Sequence, residues 1–306
     1  MASLKNIKLK IQSVKKTSTV TRAMEAVSAV KMRKSQQRAL NGRMYAAVAL
    51  SILERLAGAT DFGNHPLMKP RSGKTAFVIV TSDKGLAGSL NSAVIRKTEN
   101  EIARLHLDTQ LVIIIGIGKR GADYFANRGY DVRERLTNVS DDVSEDNVRA
   151  VTDRLLEWHA AGEIAAAYIV YTNFLSTFEQ EAAARQLIPI TRESFTEMIA
   201  RIRPVKGKYA PDPRQERLET SPVYTVEPDT DAIITTLLPR LLNVAVFHGL
   251  LESKASEHSA RMVAMKNATD NAKERVKEYT RTFNKIRQAS ITREISEITS
   301  GIEAMR

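Results

Sequence analysis

His258-Ser259-Ala260-Arg261-Met262-Val263-Ala264-Met265-Lys266-Asn267-Ala268-Thr269-Asp270-Asn271-Ala272 opens a run with a fixed rhythm of apolar or small residues. Starting at His258, they fall at Met262, Met265, Thr269, Ala272, Val276, Tyr279, Phe283 and Ile286, in alternating steps of four and three. After one slip, Ile291, Ile295, Ile298, Ile302 and Met305 resume the same steps. A sustained repeat of 3.5 residues keeps one narrow seam facing a partner helix, so this stretch predicts a coiled coil. The helix signal begins at Thr230 and is interrupted only by Pro239, Gly249 and Gly301.

The partner that such a seam needs is found at the other end of the chain. No proline precedes Pro66, and Gly42 is the only glycine before Gly58, so the first 58 residues read as one long helix. Apolar residues recur there in three groups: Ile7, Ile11 and Val14; Val20, Met24, Val27 and Val30; Leu40, Met44, Val48, Ile52 and Leu56. The stripe changes phase between groups, which predicts more than one neighbour. At ~1.5 Å per residue, a helix of about 55 residues extends ~80 Å, far longer than a globular domain requires. The two terminal segments are therefore expected to wind antiparallel, with small residues such as Ala268, Ala272 and Ala289 allowing close approach.

Between these helices the pattern changes. Ala76–Thr81, Leu111–Ile115 and Ala166–Tyr171 are short β-branched runs suited to a buried parallel sheet, and 132–136 and 185–190 are candidate edge strands. Ser92–Leu105, Arg120–Asn127 and Asp146–Ala160 are amphipathic and of helical length. The expected fold class is α/β: a long antiparallel two-helix coiled coil from both termini with an inserted Rossmann-like α/β domain. The expected divisions are residues 1–58 for the first helix, 75–200 for the α/β domain, 203–229 for a Pro-rich linker and 230–306 for the last helix.

The 306 residues carry a net charge of +11, yet residues 1–57 alone hold twelve basic and two acidic side chains. The positive field thus belongs to the N-terminal arm, which suits an acidic protein partner, an anionic surface or duplex nucleic acid. Tyr45 is the arm's one aromatic residue, so the stacking platforms of single-strand binders are missing. The absence of cysteine excludes disulfides, thiolate metal sites and cysteine nucleophiles. The five histidines show no i,i+4 pairing, and no G-x-S-x-G elbow occurs, so metal and nucleophilic chemistry are not expected. No apolar run is long enough for a signal sequence or a membrane span.

Gly116-Ile117-Gly118-Lys119-Arg120-Gly121 follows a predicted strand and matches the dinucleotide fingerprint G-x-G-x-x-G, with Glu134 as the candidate ribose acid. Ser82-Asp83-Lys84-Gly85-Leu86-Ala87-Gly88-Ser89-Leu90-Asn91 has the look of an anion-cradling loop without the G-K-[ST] ending of a P-loop. A nucleotide-binding α/β enzyme is therefore the alternative to a structural protein, and a duplex binder is a third reading.

At both ends the residues become specific. Ile11-Gln12-Ser13-Val14-Lys15-Lys16-Thr17 and Val20-Thr21-Arg22-Ala23-Met24-Glu25-Ala26-Val27-Ser28-Ala29-Val30-Lys31-Met32-Arg33-Lys34 resemble the opening helix of the gamma subunit of F-type rotary ATP synthases. Residues 255–272 and Asn284-Lys285-Ile286-Arg287-Gln288-Ala289-Ser290-Ile291-Thr292-Arg293-Glu294-Ile295-Ser296-Glu297-Ile298 resemble its closing helix. The 82–91 loop is similar to that family's S-D-[RK]-G-L-C-G-x-x-N loop, with Ala87 where cysteine is common.

The resemblance implies a central-stalk rotor subunit without cofactors or chemistry of its own. Its coiled coil would run up the axis of a hexamer of alpha and beta subunits, with the α/β domain below, on the membrane c-ring and beside the epsilon subunit. No nucleic-acid partner is implied, and membrane association is indirect, through the c-ring. The resemblance further assigns Arg22 and Met24 to the acidic lever of the beta subunit, and Arg287, Gln288, Thr292 and Glu294, with Arg261 in support, to an upper catch. Ile295, Ile298, Ile302 and Met305 match the tip turning in an apolar bearing, and Tyr224 and Glu227 fall near a c-ring contact. The 203–229 linker lacks the cysteine pair of the redox-regulated chloroplast form, so thiol control is not expected. No transit peptide is read in the chain, which favours a peripheral protein on the cytoplasmic face of a bacterial cell membrane.

Overall fold

The computed structural model describes residues 4–59, 65–69, 71–191 and 230–305, with side chains described outside 39–59 and 230–234. The elements in chain order are α1 (Leu4–Ala59), β1 (Lys74–Val80), α2 (Leu90–Arg104), β2 (Val112–Ile117), α3 (Lys119–Ala126), β3 (Asp131–Leu136), α4 (Glu145–Ala160), β4 (Ile164–Phe174), β5 (Gln180–Ile188) and α5 (Thr230–Ala304). The linker expected at 203–229, with Tyr224 and Glu227, lies outside the described residues. The chain forms two compact units, Met1–Ala29 with Arg261–Arg306, and Val30–Ala260. The boundaries cut through the long helices, so residues 30–59 and 230–260 belong with the sheet.

In the sheet-containing unit the strand order is β3-β2-β1-β4-β5. β1 runs parallel to β2 and β4, and β2 parallel to β3, whereas β5 closes the edge antiparallel to β4. All six residues of β2 are buried, as in a strand covered on both faces. One face presents Phe77, Ile79, Ile114 and Val170 to Val94 and Ile102 of α2 and Phe125 of α3. The other presents Val78, Ile113, Ile115 and Ile169 to Val151 and Leu155 of α4 and to Leu241, Leu242, Val246 and Leu250 of α5. Gly249 lets α5 come close to the sheet, since a Cβ there would stand 2.9 Å from Ile169 Cδ1. Pro239 sits inside α5, so the helix continues through the expected interruption.

Each of the five expected strand segments overlaps a strand, with Thr81, Leu111 and residues 189–190 left outside. The least accurate boundary is β5, which begins at Gln180, earlier than the sequence indicates. Gln180-Glu181-Ala182-Ala183-Ala184 has little intrinsic strand character. It is extended because it pairs with β4, with Ala183 opposite Tyr171 and Gln180 opposite Phe174.

The other unit is the pair of helix ends. Along α5, Met265, Thr269 and Ala272 are buried and Met262, Val276, Tyr279, Phe283 and Ile286 are partly buried, while the residues between them along Lys273–Lys285 are exposed. Along α1, Ile7, Thr21 and Ser28 are buried and Leu4, Ile11, Val14, Ser18 and Glu25 partly so, again in steps of three and four. Thr21 and Thr269 share a hydrogen bond of 2.7 Å between their hydroxyls. With that pair opposite, an antiparallel arrangement sets Leu4 near Ile286 and Ser28 near Met262, so the covered stretches end together.

This burial corrects the expected phase change in α1. The seam passes through Ser18, Thr21 and Ser28 without a shift, and Val20, Val27 and Val30 are exposed. Hydropathy pointed at the valines because small polar residues had taken the close-packed positions, where helix axes approach and hydroxyls can bond along the helix. Ser18 O lies 3.2 Å from the Thr21 hydroxyl and Met265 O 2.8 Å from that of Thr269, so whichever hydroxyl accepts across the seam can donate to its own helix.

Candidate functional site

The glycine-rich crevice is built from the ends of β1 and β2. A Cβ on Gly118, whose φ is +91°, would lie 2.0 Å from Thr81 O, and one on Gly116 would lie 2.6 Å from Ala122 Cβ. A Cβ on Gly121 would approach Thr81 Cγ2 at 3.0 Å. These glycines admit neighbouring protein, where a dinucleotide fold uses them to admit a pyrophosphate.

The amides at the start of α3 are already engaged. Lys119 N–H donates to Asp83 Oδ1 at 3.0 Å, Arg120 N–H to Ser82 O at 3.2 Å, and Gly121 N–H to Thr81 Oγ1 at 2.9 Å. Gly118 N–H donates to Leu136 O at 2.8 Å. The Asp83 carboxylate thus occupies the place that a phosphate takes at a helix N-terminus. Asp83 also accepts from Asn138 N–H at 2.9 Å, and Ser82 and Asn91 bond one another to brace the loop. Glu134, the candidate ribose acid, pairs instead with Arg154 of α4 at 3.2 Å. Among the described residues no group of three or more His, Asp or Glu converges as a metal site.

The helical pair carries the remaining expected residues. Arg22 is exposed and Met24 partly buried; two residues apart, they lie ~160° from one another around α1. Arg287, Gln288, Thr292 and Glu294 lie together on exposed surface of α5, where Thr292 Oγ1 donates to Gln288 O at 3.0 Å. Arg261 is not part of that cluster. It is buried, and the 26 residues separating it from Arg287 amount to ~39 Å of helix. Ile295, Ile298, Ile302 and Met305 are all exposed, at 59%, 64%, 59% and 89%, and Ile291 joins them.

A polar cluster that sequence reasoning missed surrounds residues 138–143, between β3 and α4. Asp141 accepts from Lys31 Nζ at 2.9 Å through Oδ2 and meets His258 Nε2 at 2.7 Å through Oδ1. Burial pushes the Asp141 carboxyl up, but the Lys31 and His258 hydrogen bonds outweigh this and hold it at about 2. Arg38 forms an ion pair with Asp142, and Lys254 Nζ donates to Val139 O at 2.8 Å. These partners are more than a hundred residues apart in sequence, so no motif announces them.

The sequence model of the family described as ATP synthase matches residues 3–305. The ATP synthase gamma chain of Pelotomaculum thermopropionicum is 35% identical over 306 residues, covering all of both chains. That of Syntrophobacter fumaroxidans is 38% identical over 309 residues, again over the full length of both. The chain belongs to the ATP synthase gamma chain family. Its fold is shared with a chain of the Euglena gracilis mitochondrial ATP synthase in an OSCP/F1/c-ring structure, at a TM-score of 0.64, 17% identity and coverage of 99% of this chain and 94% of that one. A chain of the Tetrahymena thermophila central stalk and c-ring matches at a TM-score of 0.57 and 22% identity, over 81% of this chain and 99% of that one.

Proposed function

We propose that the chain is the non-catalytic central-stalk rotor subunit of an ATP synthase, turning inside a hexamer of alpha and beta subunits and resting on the c-ring beside epsilon. The observation that carries this reading is the exposed apolar row Ile291, Ile295, Ile298, Ile302 and Met305 on α5, beyond the residues that α1 covers. Large apolar groups aligned on one face mark a surface that another body encloses. An apolar collar that lacks fixed polar partners lets such a tip rotate without breaking hydrogen bonds at each step.

Lower on the pair, Val20 and Val27 add exposed apolar surface on the face of α1 that carries Met24, with Arg22 further around the helix, on an arm with a large excess of positive charge. That combination suits a contact with an acidic, partly apolar lever of the beta subunit, with Met24 beside it. Arg287, Gln288, Thr292 and Glu294 form the upper catch; Arg261 supports the helical pair from within instead. A shaft shifts the affinities of three catalytic sites only through unequal contacts with their conformations, which a lopsided two-helix element provides. Among the described residues no helix is long and apolar enough to cross a membrane, in keeping with peripheral placement through the c-ring on the cytoplasmic face of a bacterial membrane.

Reconstitution tests this. Mixed with alpha and beta subunits, the chain is expected to co-purify and to support ATP hydrolysis, and with the membrane sector to support proton pumping. Failure to assemble with alpha and beta would refute the assignment. Appreciable affinity of the isolated chain for ATP or NAD, lost on Gly118→Val, would favour the enzyme alternative.

A further inference from the structure

Within the sheet-containing unit, the described side chains tie the two long helices to the sheet in different ways. α5 is anchored by apolar burial, with Leu238, Leu241, Leu242, Val246, Leu250 and Leu251 in the core beneath the sheet. The side-chain polar contacts described from α1 to the sheet domain converge on one short loop. Lys31 reaches Asp141, and Arg38 reaches both the Asp142 carboxylate and the Asp141 carbonyl. α5 meets the same loop through His258 at Asp141 and Lys254 at Val139.

The loop is built to stay in one place. Asn138 and Val143, at its two ends, have φ values of +56° and +37°. A β-branched residue in the left-handed region persists only where its surroundings fix it, and Val143 is buried in the core. At the other end, Asn138 N–H is held by Asp83, the carboxylate that caps α3. The chain of bonds therefore runs from the sheet and α3, through Asp83 and the loop, to both long helices.

We propose that Asp141 is the rotational lock of this rotor, the positioning residue that ties both long helices to the sheet domain so that turning the domain turns the helices without slip. This rests on the shaft reading above. Apolar burial is non-directional, whereas paired charge-assisted hydrogen bonds fix direction. With α5 already embedded in the core, the charged loop supplies directional restraint to α1.

The test uses the complex of alpha and beta subunits with the full chain, its hexamer fixed to a surface. Because the chain has no cysteine, a single Asn100→Cys on α2 takes a bead on the sheet domain. In the pause between steps, the angular variance of the bead reports torsional stiffness. Asp141→Ala with Asp142→Ala is expected to raise that variance about twofold, since charge-assisted bonds then no longer hold one of two helices. Asp141→Asn, which keeps the shape and loses the charge, is expected to give an intermediate value. The exchange Lys31→Asp with Asp141→Lys is expected to recover at least part of the stiffness that Asp141→Lys alone removes. Unchanged variance in the double alanine variant, or no recovery by the exchange, overturns the lock. If the chain without these substitutions fails to rotate in the hexamer, the shaft reading itself falls.

Discussion

Thr21 and Thr269 meet hydroxyl to hydroxyl at 2.7 Å in the buried seam of the helical pair, 248 residues apart in the chain. Each hydroxyl also lies within reach of a carbonyl of its own helix, Ser18 O at 3.2 Å and Met265 O at 2.8 Å, and with one proton apiece one of them donates to its carbonyl while the other donates across the seam. A small polar seam of this kind brings helices close while specifying register, a role that bulky apolar residues fill less selectively.

Replacing either threonine by valine is expected to cost about 1 kcal/mol, the ordinary worth of one hydrogen bond. The double replacement is expected to cost less than the two singles together, because either single variant already removes the shared hydrogen bond. Urea unfolding of the two singles and the double gives the cycle. Strict additivity would mean that the contact contributes nothing.

Gly118 should not tolerate a side chain. With φ at +91° and the Thr81 carbonyl 2.0 Å from the position of a Cβ, Gly118→Ala must move backbone and not only a flexible side chain. A loss of about 3 kcal/mol or more is expected, from combined strain and clash. Calorimetry with ATP and NAD on the unmodified chain should show no appreciable binding, because the amides of the α3 N-terminus already have acceptors.

At the tip of α5 stability and function should separate. Ile298 is 64% exposed, so Ile298→Lys is expected to change the stability of the isolated chain by no more than about 0.5 kcal/mol. In the assembled complex the same change places a charge against an apolar collar and should slow ATP-driven rotation severalfold, by the cost of burying an unpaired ion. Comparing melting curves with rotation rates checks both halves.

Asp141 makes stability depend on pH in a defined window. Its carboxyl sits at about 2 in the folded chain against an ordinary 3.8, so the charged form favours folding. The contribution is fully present above about pH 4 and is lost as pH falls toward 2, and after solvent screening it is on the order of 1 kcal/mol. Asp141→Asn should therefore flatten the acid limb of the stability curve while changing its slope little above pH 5. An identical acid limb in both proteins would show that the Lys31 and His258 contacts do not act on folding.

Much of this protein is legible from local pattern. The heptad steps from Met262 to Ile286 report a seam because a helix must present one stripe to its partner, and the covered positions of α5 fall on those steps. Ala76–Thr81 and Leu111–Ile115 announce buried strands because residues shielded on both faces have no reason to alternate. The glycine fingerprint at 116–121 was legible as a turn, but its chemistry was not, since Asp83 reaches the α3 amides from a different loop.

Periodicity and charge alone announce two long helices, a heptad seam on the second of them, an α/β insert and a basic N-terminal arm. Which surfaces remain uncovered and which distant groups meet emerges only when the chain folds. Ser18 and Ser28 could not be recognised as seam residues, nor Val20 and Val27 as exposed ones, from hydropathy alone. The Asp141 bridge to Lys31 and His258 is likewise formed only by folding. Periodicity is set by backbone geometry within one element, whereas burial and ion pairing depend on chain segments brought together from far apart in the sequence.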